Sequence, residues 1–147
     1  MLRHLDILVA DHHPIFVEGL RSLLSNTGDE RFAYNIKGVA INGLQVAQYL
    51  GTSQPDLFLL DPDLPDGEGL KIVASVKLNG PKTRILILTG SGDPAHIQAA
   101  FRAGADGYML KTGSHHELIQ AVGELAEGRT FVGSGLMPMD QVDGANG

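Results

Sequence analysis

A chain of 147 residues, 43% hydrophobic, 19% charged and 5% aromatic, can bury one core and is composed like an ordinary globular domain. The absence of cysteine excludes a disulfide framework and any thiolate metal site, and fits a cytoplasmic protein. A formal net charge of -6 without a Lys/Arg cluster argues against electrostatic nucleic-acid binding by this chain alone, and no apolar run nears the roughly 20 residues that span a bilayer, so no membrane association is expected.

Taken in order, the first apolar run, Asp6 to Ala10, predicts a strand that ends at Asp11. Pro14 suits a first helical turn, and Phe16, Leu20, Leu23 and Leu24 then recur at helical spacing. The stretch Tyr34 to Ala40 mixes Tyr34, Ile36 and Val39 with Asn35 and Lys37, which places this second strand at a sheet edge. Leu57 to Leu60 is uninterrupted apolar sequence, the mark of a strand buried on both faces, and Asp61 closes it before the turn Pro62-Asp63-Leu64-Pro65. Arg84 to Leu88 predicts a fourth strand, followed by Thr89 and the turn Gly90-Ser91-Gly92. Pro94 opens the next helix, and Gly104 suits its C-terminal cap. Gly107 to Leu110 is the fifth strand, ending at Lys111, and Leu118, Ile119, Val122, Leu125 and Ala126 form the stripe of a last helix.

Five strands alternating with five helices predict βα units around a parallel sheet. In such sheets ligands bind beyond the carboxyl ends of the strands, where Asp11, Asp61, Thr89 and Lys111 converge. Each alone has a local explanation as a cap, a turn former or a solvated charge. Together they match phosphoryl capture: clustered carboxylates need a cation, lysine and threonine serve phosphoryl oxygens, and a carboxylate can itself be the nucleophile. The pairs His12-His13 and His115-His116 lack the i,i+4 spacing that sets two ligands on one helical face, and Gly90-Ser91-Gly92 lacks the lysine of a phosphate-binding loop.

The runs Leu8-Val9-Ala10-Asp11-His12-His13-Pro14, Leu59-Leu60-Asp61-Pro62-Asp63-Leu64-Pro65-Asp66-Gly67-Glu68-Gly69, Leu86-Ile87-Leu88-Thr89 and Ala103-Gly104-Ala105-Asp106-Gly107-Tyr108-Met109-Leu110-Lys111 resemble the receiver domain of two-component response regulators. The resemblance implies an α/β flavodoxin-like (βα)5 fold, doubly wound, with strand order 2-1-3-4-5, over residues 1–131, and a C-terminal tail or truncated linker over 132–147. It implies Asp61 as phosphoacceptor for a sensor histidine kinase, Asp11 in an acidic pair binding Mg²⁺ with Asp61 and the Asp63 backbone carbonyl, and Thr89 and Lys111 at the phosphoryl group. Thr89 and Tyr108 would be the switch residues of a face made by the fourth helix, fifth strand and fifth helix, a face through which homodimers can form. Asp63 and Ser91 stand where the family tunes the phosphoryl lifetime.

His12 departs from the pattern. It occupies the second acidic position, and imidazole suits Mg²⁺ poorly, so weakened Mg²⁺ binding is expected. A phosphate-independent interaction module is therefore one alternative, and a haloacid-dehalogenase-like phosphotransferase, suggested by Asp61-Pro62-Asp63, is another. Thr112 after Lys111, where many receivers carry proline, resembles the NarL/FixJ-type subfamily, whose members generally bind DNA through a LuxR-type helix-turn-helix domain. Residues beyond Phe131 are too few for that domain, so DNA binding is expected only of a longer chain, and the alternative is a receiver acting alone.

Overall fold

In the computed structural model, residues 2–27, 31–66, 68–80 and 82–136 are described; Gly67 of the second motif, and the tail from 137 onward, lie outside them. The elements in chain order are β1 (Arg3–Ala10), α1 (Pro14–Ser25), β2 (Phe32–Ala40), α2 (Gly43–Leu50), β3 (Leu57–Leu60), α3 (Gly69–Asn79), β4 (Arg84–Thr89), α4 (Pro94–Ala103), β5 (Gly107–Leu110), α5 (His115–Ala126) and β6 (Phe131–Val132). All strands are parallel, in the order β2-β1-β3-β4-β5-β6. The expected order is therefore present and is extended by β6, which pairs Phe131 with Gly107 and Val132 with Tyr108. A two-residue strand carries no periodicity, which is why the sequence pattern gives no sign of it.

The alternation of side chains along buried strands divides the core into two layers. Leu57 and Leu59 of β3 join Val17, Leu20 and Leu24 of α1 and Leu118, Val122 and Leu125 of α5 on one face. Phe58 and Leu60 join Val46 of α2, Val73 and Val76 of α3, and Ile97 of α4 on the other. Both faces are covered, so β3 has no polar position, and full burial of each large aliphatic side chain contributes about 1.5–3 kcal/mol. β2 lies at one edge as expected. It carries an irregularity where Ile7 pairs with Ile36 but Leu8 pairs with Gly38, and a Cβ at Gly38 would lie 2.5 Å from the Tyr49 ring of α2.

Helix starts follow local chemistry. Asn42, Asp93 and Ser114 cap α2, α4 and α5 by accepting from Gln45, Ala95 and Glu117 backbone N–H groups. Pro14 and Pro94 sit in the first turns of α1 and α4, and Gly104 ends α4 at φ 119°, the left-handed region that glycine enters freely. His13 stands at the N-cap of α1 but its side chain makes no capping hydrogen bond; that ring is engaged elsewhere.

Candidate functional site

Pairing of β1 with β3 sets Ala10 opposite Leu60, so the next residues, Asp11 and Asp61, leave the sheet side by side. Their backbone N–H groups complete the ladder, Asp11 donating to Ala40 O at 2.9 Å and Asp61 to Ala10 O at 2.9 Å. Lys111 N donates to Thr89 O at 2.8 Å across β4 and β5. The convergence expected of Asp11, Asp61, Thr89 and Lys111 on one rim is thus a direct consequence of strand register.

Three of the strand ends use one local device, a side-chain oxygen accepting from the backbone two residues on. Asp11 Oδ1 accepts from His13 N at 2.8 Å, Asp61 Oδ1 from Asp63 N at 2.8 Å, and Thr89 Oγ1 from Ser91 N at 3.2 Å. Each turn fixes one oxygen and, for the aspartates, leaves Oδ2 for the common space. Lys111 Nζ enters that space, 2.6 Å from Asp11 Oδ2 and 2.8 Å from Asp61 Oδ2, while standing 4.7 Å from the centroid of the Phe16 ring. Asp11, Asp61 and Thr89 are buried, at 2%, 3% and 2% exposure, so the two carboxylates face one ammonium with little water to screen them.

His13 belongs to the same cluster, which the sequence did not indicate. Its Nδ1 lies 3.0 Å from Asp11 Oδ1, 2.9 Å from Lys111 Nζ and 3.7 Å from Asp61 Oδ2. The available sign was its place at the N-cap of α1 directly after the aspartate turn. His12 stacks beside it with ring centroids 4.1 Å apart, and its Nδ1 is buried without a hydrogen-bond partner. Asp63 is exposed, with its backbone N–H committed to Asp61. His115 and His116 are exposed on α5, away from this cluster.

Tyr108 lies at 2% exposure and its hydroxyl donates to Ser91 O at 3.0 Å, which ties β5 to the loop after β4. A cavity of about 230 Å³ beside it is lined by Asp63, Thr89, Ser91, His96 and Ala100. Burial first, then the Asp63 and Asp93 charges, push the Tyr108 hydroxyl up to about 12, against a smaller lowering by the neighbouring Thr89 hydroxyl. Beside β5, β6 continues the sheet: Gly133 N donates to Tyr108 O at 2.8 Å, and Leu136 packs against the layer that contains Tyr108.

A parallel doubly wound sheet with paired acids, a threonine and a lysine at its carboxyl rim defines a receiver-type fold. The response regulator receiver domain family matches residues 7–123, and the chain belongs to that family. It is similar to the transcriptional regulatory protein NarL of Mycobacterium tuberculosis, 32% identical over 131 residues, covering 89% of this chain and 59% of that protein. NarL of Escherichia coli, a nitrate/nitrite response regulator, is 30% identical over 133 residues, covering 90% of this chain and 60% of that one. The chain thus spans less than two thirds of the length of these curated relatives. Among solved structures, the receiver domain of M. tuberculosis NarL superposes with a TM-score of 0.78 at 31% identity, covering 86% of this chain and 99% of that one. A LuxR-family response regulator from Aurantimonas superposes with a TM-score of 0.83 at 26% identity, covering 98% of both. The protein is a NarL-like receiver, and this membership sets aside the haloacid-dehalogenase-like alternative. Among the described residues no helix is long and apolar enough to cross a membrane.

Proposed function

We propose that Asp61 accepts a phosphoryl group from a phosphohistidine of a cytoplasmic sensor histidine kinase. The observation that carries this reading is a charge imbalance: two buried carboxylates, Asp11 and Asp61, share the single ammonium of Lys111. Asp61 Oδ1 is held by Asp63 N, so Oδ2, which accepts from Lys111 Nζ at 2.8 Å, is the oxygen that attacks once Lys111 shifts to the phosphoryl group. The P–O bond to Asp61 forms as the donor's P–N bond breaks, and the departing imidazole takes a proton from solvent. Phosphoryl transfer of this kind needs positioning and charge neutralisation more than covalent machinery. Lys111 moves its positive charge from the carboxylates onto the phosphoryl oxygens, and Thr89 turns its hydroxyl from Ser91 N toward them. The reaction is self-modification, phosphorylation followed by dephosphorylation, rather than turnover of an external substrate.

Thr89 and Tyr108 flank the cavity described above. Loss of the Thr89 contact to Ser91 N frees the loop that Tyr108 holds through Ser91 O, which gives a route to the α4-β5-α5 face. We assign that face to homodimer formation, and DNA binding to a helix-turn-helix domain in any longer chain.

Mg²⁺ requires a near-ideal octahedral shell of oxygens. The donors facing one another here are two carboxylates and two imidazoles, from Asp11, Asp61, His12 and His13. Asp11, Asp61 and the Asp63 carbonyl would offer oxygens that waters can complete, but the imidazoles of His12 and His13 in the same space suit Mg²⁺ poorly, and no step of the transfer is routed through that ion. Intact-mass measurement after incubation with a small acyl phosphate, in parallel with Mg²⁺ and with Co²⁺, tests the function. One phosphoryl group is expected on the native chain and none on Asp61→Asn; a gain that persists in Asp61→Asn puts the acceptor elsewhere, and no gain on the native chain favours the phosphate-independent module.

A further inference from the structure

The mismatch with Mg²⁺ points to a different ion. One ligand atom each from Asp11, His12, His13 and Asp61 lies within 4.8 Å of the others. Around a tetrahedral ion with bonds of about 2.0–2.1 Å, ligand atoms stand about 3.3 Å apart, so closing the group takes side-chain rotations of the order of 1 Å and no movement of strands. Three of the four donors follow β1 directly, on a turn fixed by the Asp11 Oδ1 to His13 N hydrogen bond.

Two further features concern the imidazoles. His12 Nδ1 is buried without a hydrogen-bond partner, a state that costs about 1–3 kcal/mol and that native proteins seldom leave unexplained. His13 Nδ1 lies between a cation and an anion of the cluster, 2.9 Å from Lys111 Nζ and 3.0 Å from Asp11 Oδ1. Lys111 therefore acts as the positive charge already lodged among these donors, 2.6 and 2.8 Å from the two carboxylates. A divalent ion with affinity for both nitrogen and oxygen can take that place.

We propose that this cluster binds an imidazole-accepting first-row divalent cation of the Zn²⁺ and Co²⁺ class, through the carboxylates of Asp11 and Asp61 and the rings of His12 and His13, in preference to the oxygen-seeking ions Mg²⁺ and Mn²⁺. The inference deepens the phosphoacceptor reading by naming the ion of the same site, and its test is a binding measurement that does not depend on phosphorylation.

The test is titration calorimetry of the untagged chain with Mg²⁺, Mn²⁺, Co²⁺ and Zn²⁺, with visible absorption of the Co²⁺ complex as a second readout. Mn²⁺ is the informative control, because an all-oxygen site accepts it readily. Co²⁺ is expected to bind at least about tenfold more tightly than Mn²⁺, the size of effect that metal-site residues typically exert. His12→Asn weakens Co²⁺ by about tenfold and shifts its d–d bands, and His12→Asp raises Mg²⁺ affinity by a similar factor. The double variant His115→Gln/His116→Gln leaves all of this unchanged. Equal affinities for Mn²⁺ and Co²⁺ on the native chain overturn the proposal without recourse to any variant, as does a Co²⁺ spectrum that His12→Asn fails to alter. Selective Co²⁺ binding without acyl-phosphate labelling of Asp61 keeps the ion and rejects the phosphoacceptor; labelling in Mg²⁺ without Co²⁺ selectivity does the reverse.

Discussion

The two ends of the sheet each hold buried aspartate paired with lysine, and they do opposite things. At the amino end, Asp106 is surrounded by more positive charge than it carries: Lys77 Nζ lies 2.6 Å from Oδ2, Arg84 Nη1 3.2 Å from Oδ1, and Ile85 N donates to Oδ2 at 2.9 Å. Lys77 also donates to Thr83 O at 2.6 Å, which fixes α3 to the start of β4. At the carboxyl end the ratio is inverted, with Asp11 and Asp61 on one Lys111. A carboxylate with excess donors is a clamp. Two carboxylates short of a cation suit the proposed site, because a cation or phosphoryl transfer can still lower their energy.

The comparison is broken most completely at Asp61. Asp61→Asn abolishes phosphoryl labelling by mass while the chain stays folded, whereas Asp106→Asn retains labelling. Next in size, Lys111→Met slows labelling by acyl phosphate about 10²-fold, the scale on which one preorganised electrostatic donor acts, as read from rates of mass gain. Asp106→Ala leaves two cations without their anion and lowers stability by about 3 kcal/mol in urea denaturation, with labelling of the remaining folded protein unchanged. The smallest effect concerns Tyr108. Its hydroxyl is held up to about 12 in the folded chain against the 10.0 of a free tyrosine, so the folded state keeps a proton that the unfolded state loses. The associated stability is complete below pH 10 and disappears as pH rises toward 12; urea midpoints across that range are expected to fall more steeply for the native chain than for Tyr108→Phe. Parallel slopes would mean that the hydroxyl does not gain its proton affinity from the fold.

Much of this was legible in the chain. Leu57 to Leu60 announced a strand covered on both faces, and each of Asp11, Asp61, Thr89 and Lys111 directly follows an apolar run, so their meeting at one rim required only a parallel sheet. Strand limits were less visible. β1 begins three residues before Asp6, at Arg3, because Arg3, His4 and Leu5 pair with β2, and Arg3 and His4 are exposed there, so no apolar run marks the start. Phe131–Val132 joined the sheet through the open edge of β5, a tertiary opportunity with no pattern of its own.

The sequence by itself determined the alternation of elements and the chemical identity of the rim, since hydrophobic period and residue order are local properties. Tertiary structure alone decided the charge count. Whether a buried aspartate is clamped or reactive depends on how many cations reach it, and those come from far along the chain: Lys111 to Asp61, Lys77 and Arg84 to Asp106. It also turned His13 toward the carboxylates and buried the Nδ1 of His12, because a ring on a turn takes its direction from the neighbours packed around it.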